Sequence, residues 1–240
     1  MSHCWGKKKF STLTKDTLAH YQSGIPVEIL SKTFREAIIT ARRLGFLYIW
    51  IDSICILQAD KSDWERESKL MGRVYANSIL NIAASDAGDG DGGCFYDRTY
   101  SVENWMVELK RKSGKVTGTL RCESNFADSP IREFDSTILQ QRAWTFQERC
   151  LSPRILHLAA KRVGWECRTC YTFEGSSEER LDEYQLNLPS LVRVLLAPKK
   201  ENDPAELWKS AICRYSRREL TFSREKLVAL SAVSELFSRV

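Results

Sequence analysis

Phe46-Leu47-Tyr48-Ile49-Trp50-Ile51 and Ile79-Leu80-Asn81-Ile82-Ala83-Ala84 are the two runs whose reading decides the fold. Each is short, nearly continuous in apolar residues and bounded by polar or turn residues, the pattern of a strand covered by helices on both faces. Between them, Ser62-Asp63-Trp64-Glu65-Arg66-Glu67-Ser68-Lys69-Leu70-Met71-Gly72-Arg73-Val74-Tyr75 repeats its apolar residues at helical spacing. Before them, Ser31 is placed to cap a helix carrying Phe34, Ala37, Ile38, Ala41 and Leu44 on one face, with Gly45 to end it. Helix, strand, helix, strand at this spacing predicts an α/β fold with a parallel sheet closed by right-handed crossovers.

In such sheets ligands bind beyond the C-terminal ends of strands. Asp52, Ser53, Cys55, Gln58 and the loop after Ala84 fall at that edge. Winding the second helix at about 100° per residue puts Trp64, Leu70, Met71, Val74 and Tyr75 on one stripe, and Glu67 within it. A carboxylate on an apolar stripe needs a partner or a task, because unpaired burial costs several kcal/mol or raises its pKa. Glu67 is therefore the leading candidate for chemistry. The competing reading makes it a structural carboxylate bonded to Arg142 or Arg149. Ser62 and Glu65 have the spacing of a capping box for this helix.

The chain has 240 residues, 43% of them hydrophobic and 28% charged, enough to build a real core. A net charge of +5, with basic residues interleaved among acids, gives no nucleic-acid stripe. No apolar run reaches the roughly 20 residues that span a bilayer, and no signal-peptide stretch follows the N-terminus. The expected location is cytoplasmic, with neither nucleic acid nor membrane as partner, and the eight cysteines are expected to be reduced.

Further along, Val102 to Leu109 and Lys115 to Cys122 read as less regular strands, and Leu139 to Cys150 as a helix stopped before Pro153. Arg154 to Leu158 and Arg162 to Cys167 are placed to pair as a hairpin. Residues 174 to 203 read as a polar connection. Asp203-Pro204 and Ser223 open two last helices.

The glycine-rich loop from Ser85 to Gly93 follows a strand but opens no helix, and it has no downstream bidentate Glu; a surface loop is expected rather than a phosphate or calcium site. Cys167-Arg168-Thr169-Cys170 is one CxxC without a second, so zinc would need Cys122, Cys150 or His157 close by. A Cys55 nucleophile would need a base from His3, His20 or His157, all remote in sequence.

Several separated blocks together resemble the HET domain, the fungal heterokaryon-incompatibility module. They are Ser2-His3-Cys4-Trp5-Gly6, the stretch Leu44 to Gln58, Trp64-Glu65-Arg66-Glu67 with Met71 and Tyr75, Ile82-Ala83-Ala84-Ser85, Arg142-Ala143-Trp144-Thr145-Phe146-Gln147-Glu148-Arg149 and Leu151-Ser152-Pro153-Arg154. Leu220-Thr221-Phe222 and Lys226 to Ser231 resemble a segment found downstream. The resemblance implies a HET domain over 1–158, its first strand truncated, and a C-terminal extension with hairpin and helices over 159–240. It also implies a role in non-self recognition and programmed cell death, and a TIR-like sheet. In TIR domains that cleave NAD a glutamate following a Trp is essential. On that likeness Glu67 is the expected catalytic residue, with Trp50, Asp52, Gln58 and Trp64 expected to bind substrate. NAD is then a substrate, no cofactor or metal is expected, and self-association is the expected partnership. The alternative is a non-catalytic signalling module acting through protein–protein contacts.

Overall fold

Ser31 caps α2 (Lys32–Arg43) as expected, its hydroxyl accepting the Phe34 N–H, and Phe34, Ala37 and Ala41 are buried along one face. Gly45 ends the turn at φ +82°, a left-handed conformation that a Cβ disfavours. The computed structural model describes residues 1–8, 10–98, 104–111, 114–123, 134–174, 179–180, 191–192, 195 and 203–239. The expected polar connection over 174–203 lies mostly outside them. A short helix α1 (Lys15–Ser23) precedes α2, with Thr14 and Thr17 forming its capping box.

The run Phe46 to Ile51 is extended but, among the described residues, pairs with no strand. Leu47 and Tyr48 are 89% and 91% exposed. Its two ends are tied in: the Phe46 N–H donates to the Ala41 carbonyl at 2.9 Å, and the Met1 amine donates to the Trp50 carbonyl at 2.9 Å. Apolar character predicts covered faces; it says nothing about whether a neighbour lies along the hydrogen-bonding edge. Beside the run is a groove of about 550 Å³, lined across from it by Ile79, Leu80, Asn81 and Ile82.

The second run forms β1 (Asn81–Ala84), fully buried. It pairs in parallel with β4 (Arg154–Leu158), Asn81 opposite Ile155. Ser2 touches its other edge, donating to the Ile82 carbonyl (2.9 Å) and accepting from the Ala84 amide (3.0 Å). Next come β5 (Val163–Cys167), β6 (Cys170–Phe173) and β7 (Glu179–Arg180), all antiparallel, in the order β1-β4-β5-β6-β7. The α/β class holds, but the sheet is mixed rather than parallel. Short connections such as the one between β4 and β5 permit only antiparallel pairing. A separate hairpin joins β2 (Asn104–Lys110) to β3 (Val116–Glu123).

A one-turn helix α3 (Asp52–Cys55) leads from the extended run toward α4 (Lys61–Ala76). The cap of α4 is Asp60, not Ser62: the Asp60 carboxylate accepts the Asp63 N–H at 3.0 Å and the Ser62 hydroxyl at 2.6 Å. A carboxylate is the stronger acceptor for a helix N-terminus.

The expected helix from Leu139 to Cys150 is split into a 3-10 turn, Ile138–Gln141, and α5 (Trp144–Leu151). Arg142 is extended between them, because Gln141 and Ala143 exchange backbone bonds with Glu219. Asp203 and Pro204 open α6 (Pro204–Ser216) as expected. Ser223 begins only a 3-10 turn, and α7 (Val228–Phe237) follows.

Met71, Tyr75, Phe146, Ala211, Tyr215, Leu230 and Val233 form one core among these helices. Phe34, Ala37, Ala41, Ile51, Ile82 and Leu158 form another under α2. The loop from Ser85 to Gly93 is built into the second rather than lying loose. Thr33 of α2 donates to the carbonyls of Gly90 and Asp89 and accepts the Gly93 N–H, each within 3.0 Å.

Candidate functional site

Asp52 opens α3 where the extended run ends, and its carboxylate gathers groups from distant parts of the chain. It accepts its neighbour Ser53 N–H at 2.8 Å and the Trp5 indole N–H at 2.9 Å, and lies 3.5 Å from His3 Nδ1. His3 is buried against the edge of Phe34, ring centroids 4.8 Å apart. Burial pushes its imidazole down to about 4, Asp52 opposing and Arg142 reinforcing, so it is neutral at pH 7. Arg142 donates to the His3 carbonyl from the extended joint before α5.

Glu148, on α5, reaches the same cluster from the helical side. Burial pushes its carboxyl up; the Ser2 hydrogen bond opposes this, and the nearby charge of Asp52 adds to it. Tyr75 of α4 donates to the Met1 carbonyl at 3.0 Å, and its phenol is likewise raised by burial first, then by Glu148 and Asp52. Among the described residues, three buried polar atoms here have no hydrogen-bond partner: His3 Nε2, Ser53 Oγ and Glu148 Oε2. Buried polar groups are normally satisfied, so such atoms mark a place suited to a ligand or water.

Glu67 lies at the border of the buried face of α4, its side chain 23% exposed and bonded to Arg66 Nε at 3.1 Å. That face is made by Ser68, Met71, Gly72 and Tyr75, one residue round from the stripe predicted by apolar character. The small residues explain the rotation: a Cβ on Gly72 would come 2.3 Å from the Ala232 Cβ of α7. The expected pairing of a structural Glu67 with Arg142 or Arg149 is not formed. Arg142 serves the His3 carbonyl, and Arg149 binds Glu166 and Asp135. The charges of Asp52 and Glu67 both reach Cys55, whose thiol is raised chiefly by burial, with these carboxylates adding.

Of the other expected substrate-binding residues, Gln58 is turned inward, its amide donating to the Ile56 carbonyl at 2.8 Å and reaching that of Asp52 at 3.5 Å. Trp50 packs edge-on to Tyr75 (5.8 Å), and Trp64 edge-on to Trp144 (6.4 Å). Asp52 and Gln58 are thus brought together and Glu67 flanks them, while the two tryptophans pack on helices.

A second buried polar cluster crosses the sheet. Ser85 Oγ is 3.2 Å from His157 Nδ1, and His157 Nε2 is 2.9 Å from Glu166 Oε2. Arg149 grips Glu166 bidentately at 2.7 and 3.0 Å and also meets Asp135. Burial alone would raise the Glu166 carboxyl, but Arg149 and His157 together hold it down at about 2. Ser85, His157 and Glu166 are the residue types of a hydrolytic triad, yet each is 0% exposed. No substrate carbonyl reaches Ser85, and the cluster is a polar core. Its sequence signal was a His and a Glu at inward positions of two strands, Ile155-Leu156-His157-Leu158 and Gly164-Trp165-Glu166-Cys167.

Among the described residues no group of three or more His, Cys, Asp or Glu is placed to hold a metal ion, and no helix is long and apolar enough to cross a membrane. The family model described as heterokaryon incompatibility protein (HET) matches residues 1–148. That span contains His3, Asp52, Glu67, Arg142 and Glu148. No curated protein and no solved structure matches the chain.

Proposed function

The chain belongs to the heterokaryon incompatibility family, and from that premise we propose that it promotes cell death in fungal non-self recognition by cleaving NAD in the cytoplasm. The observation that carries this reading is the placing of Asp52 beside Glu148 at α3, with Glu67 near enough that its charge, like that of Asp52, reaches Cys55. Asp52 is anchored by two N–H donors, Glu148 is buried with its carboxyl pushed up, and Glu67 stands partly exposed at the flank.

Breaking the nicotinamide–ribose bond develops positive charge on the ribose. In this reading Glu67, at the accessible side, stabilises that charge. Asp52 orients Trp5 and His3, and Glu148 places a second, buried carboxyl beside them, its pKa pushed up by burial. The experiment is NAD consumption by the purified protein at high concentration, wild type beside Glu67→Gln, with thermal melts of both. Turnover by the wild type, lost in the variant at equal Tm, supports the reading. No turnover by a folded wild type sinks it.

A second reading is favoured by one observation. Leu47, Tyr48 and Ile79 are exposed apolar side chains, 89%, 91% and 65%, around the groove beside the extended run. Such a patch suits association, and the chain then acts as an assembly module without turnover. Leu47→Lys with Tyr48→Lys would dissolve that association in sedimentation while leaving any NAD turnover by the monomer in place.

A further inference from the structure

Cys167 closes β5 and Cys170 opens β6, and the register that sets Glu166 opposite Tyr171 makes these two cysteines face each other across Arg168-Thr169. Their sulfurs are 3.3 Å apart, against about 2.05 Å in a disulfide. The Cys170 N–H donates to Cys167 Sγ at 3.3 Å, and the Thr169 hydroxyl is 3.4 Å from the same sulfur. Both side chains are partly exposed. Two sulfurs in contact, one of them collecting donors, at an accessible hairpin tip, are the arrangement of a dithiol prepared to close.

The geometry points to Cys167 and Cys170 as a redox-active dithiol that forms an intramolecular disulfide in exchange with low-molecular-weight disulfides. Cys167 is the attacking sulfur, because the donors around it stabilise its thiolate. Its thiolate attacks one sulfur of a disulfide R–S–S–R; the S–S bond breaks and one thiolate leaves, taking up a proton. Cys170 then loses its proton and attacks Cys167 Sγ in the mixed disulfide, expelling the second thiol. In sum two cysteine thiols and R–S–S–R give one protein disulfide and two R–SH. The cysteines lose two electrons and two protons, and the small disulfide gains them.

The other cysteines set this pair apart. Cys4, Cys94 and Cys150 are buried, and burial raises each of their thiols, Cys94 and Cys150 to about 12. Cys167 moves the other way: burial would raise it, but the Thr169 and Cys170 hydrogen bonds outweigh that. A metal knuckle uses similar N–H···S bonds, but a closed site needs four ligands. Among the described residues no third His, Cys, Asp or Glu joins the two sulfurs.

The sequence supplies its own assay, since trypsin cuts after Arg168, between the two cysteines. The reduced full chain is equilibrated with glutathione at graded ratios of thiol to disulfide, capped with iodoacetamide and digested without reductant. The expected result is that peptides 163–168 and 169–180 remain joined, in a fraction set by the ratio. Cys170→Ser is expected to trap glutathione on Cys167, and Cys167→Ser to react with it on the order of tenfold more slowly. Three outcomes overturn the proposal. The two peptides separate with both sulfurs capped at every ratio; or the wild type accumulates only mixed disulfides; or the protein retains stoichiometric zinc that Cys167→Ser abolishes.

Discussion

The two buried polar clusters are built from the same residue types and end in opposite states. Around Glu166 every charge is answered: Arg149 grips both carboxylate oxygens, His157 takes a third contact, and Ser85 closes the far end. Around Asp52 and Glu148 three buried polar atoms, on His3, Ser53 and Glu148, find no partner among the described residues. A saturated cluster has nothing left to offer a ligand, and removing Arg149 leaves the Glu166 charge buried without its main partner. An unsaturated one carries a standing cost that binding would relieve. The difference predicts that mutation of the first cluster costs mainly stability, while the proposed function places turnover at the second.

The largest effect is expected at Arg149. Arg149→Met leaves the Glu166 carboxylate in a fully buried site with His157 as its remaining partner. Breaking a buried pair from one side costs about 3–5 kcal/mol, read as a lower midpoint in urea unfolding. A loss under 1 kcal/mol would dissolve the contrast between the clusters.

Next in size is Gly164→Ala. The added Cβ would fall 2.4 Å from Phe134 Cζ, and that ring is held between His157 and Tyr171 at 4.8 and 6.0 Å. Overpacking of this kind costs about 1–3 kcal/mol. Phe134→Leu in the same chain is expected to recover most of it; failure to do so would place the strain elsewhere.

These two clusters also mark where sequence reading stops. The Ser31 cap, the Asp203-Pro204 start of α6 and the β4–β5 hairpin were legible because each is decided by residues a few positions apart. The cap of α4 was misplaced by two residues because Asp60, Ser62 and Asp63 all have capping chemistry, and only the geometry chooses among them. The face of α4 was turned by Ser68 and Gly72, buried for closeness rather than hydrophobicity. Asp52 is singled out in the sequence because it ends an apolar run read as a strand, although that run pairs with no strand among the described residues. His3 and Glu148, 49 residues before it and 96 after it, were not, because no periodicity records which distant side chain will arrive. The pairing of His157 with Glu166 was missed for a related reason: two polar residues inside apolar strands signal burial without naming a partner.

The clusters should answer acid differently. The Glu166 carboxyl is held at about 2, below its ordinary 4.5, so the stability it contributes is complete above 4.5 and is lost as pH falls toward 2. His157 and His3 are both depressed, chiefly by burial, His3 to about 4, so protonation below their ordinary 6.5 favours the unfolded chain. The melting temperature is therefore expected to fall steadily from pH 6.5 downward. Glu166→Gln should remove the part between 4.5 and 2. A variant whose acid profile overlays the wild type would refute the assignment to Glu166.

Glu148 has the opposite sign, and its mutation is expected to have the smallest effect on stability. Its folded pKa is raised, so what it contributes is fully present below its ordinary 4.5 and is lost as pH rises through the folded value. Glu148→Gln keeps the shape and removes the ionisation, and at pH 7 it should change stability by no more than about 1 kcal/mol, in either direction. Any stabilisation should shrink toward pH 4, where the wild-type carboxyl is already protonated. Function is where this variant separates the readings, because the proposed turnover uses the Glu148 carboxyl while packing needs only its shape. NAD consumption lost at an unchanged melting temperature would keep the unsaturated cluster as the working site. Consumption that persists in Glu148→Gln and vanishes only in Glu67→Gln would move the chemistry outward, to the flank where Glu67 meets solvent.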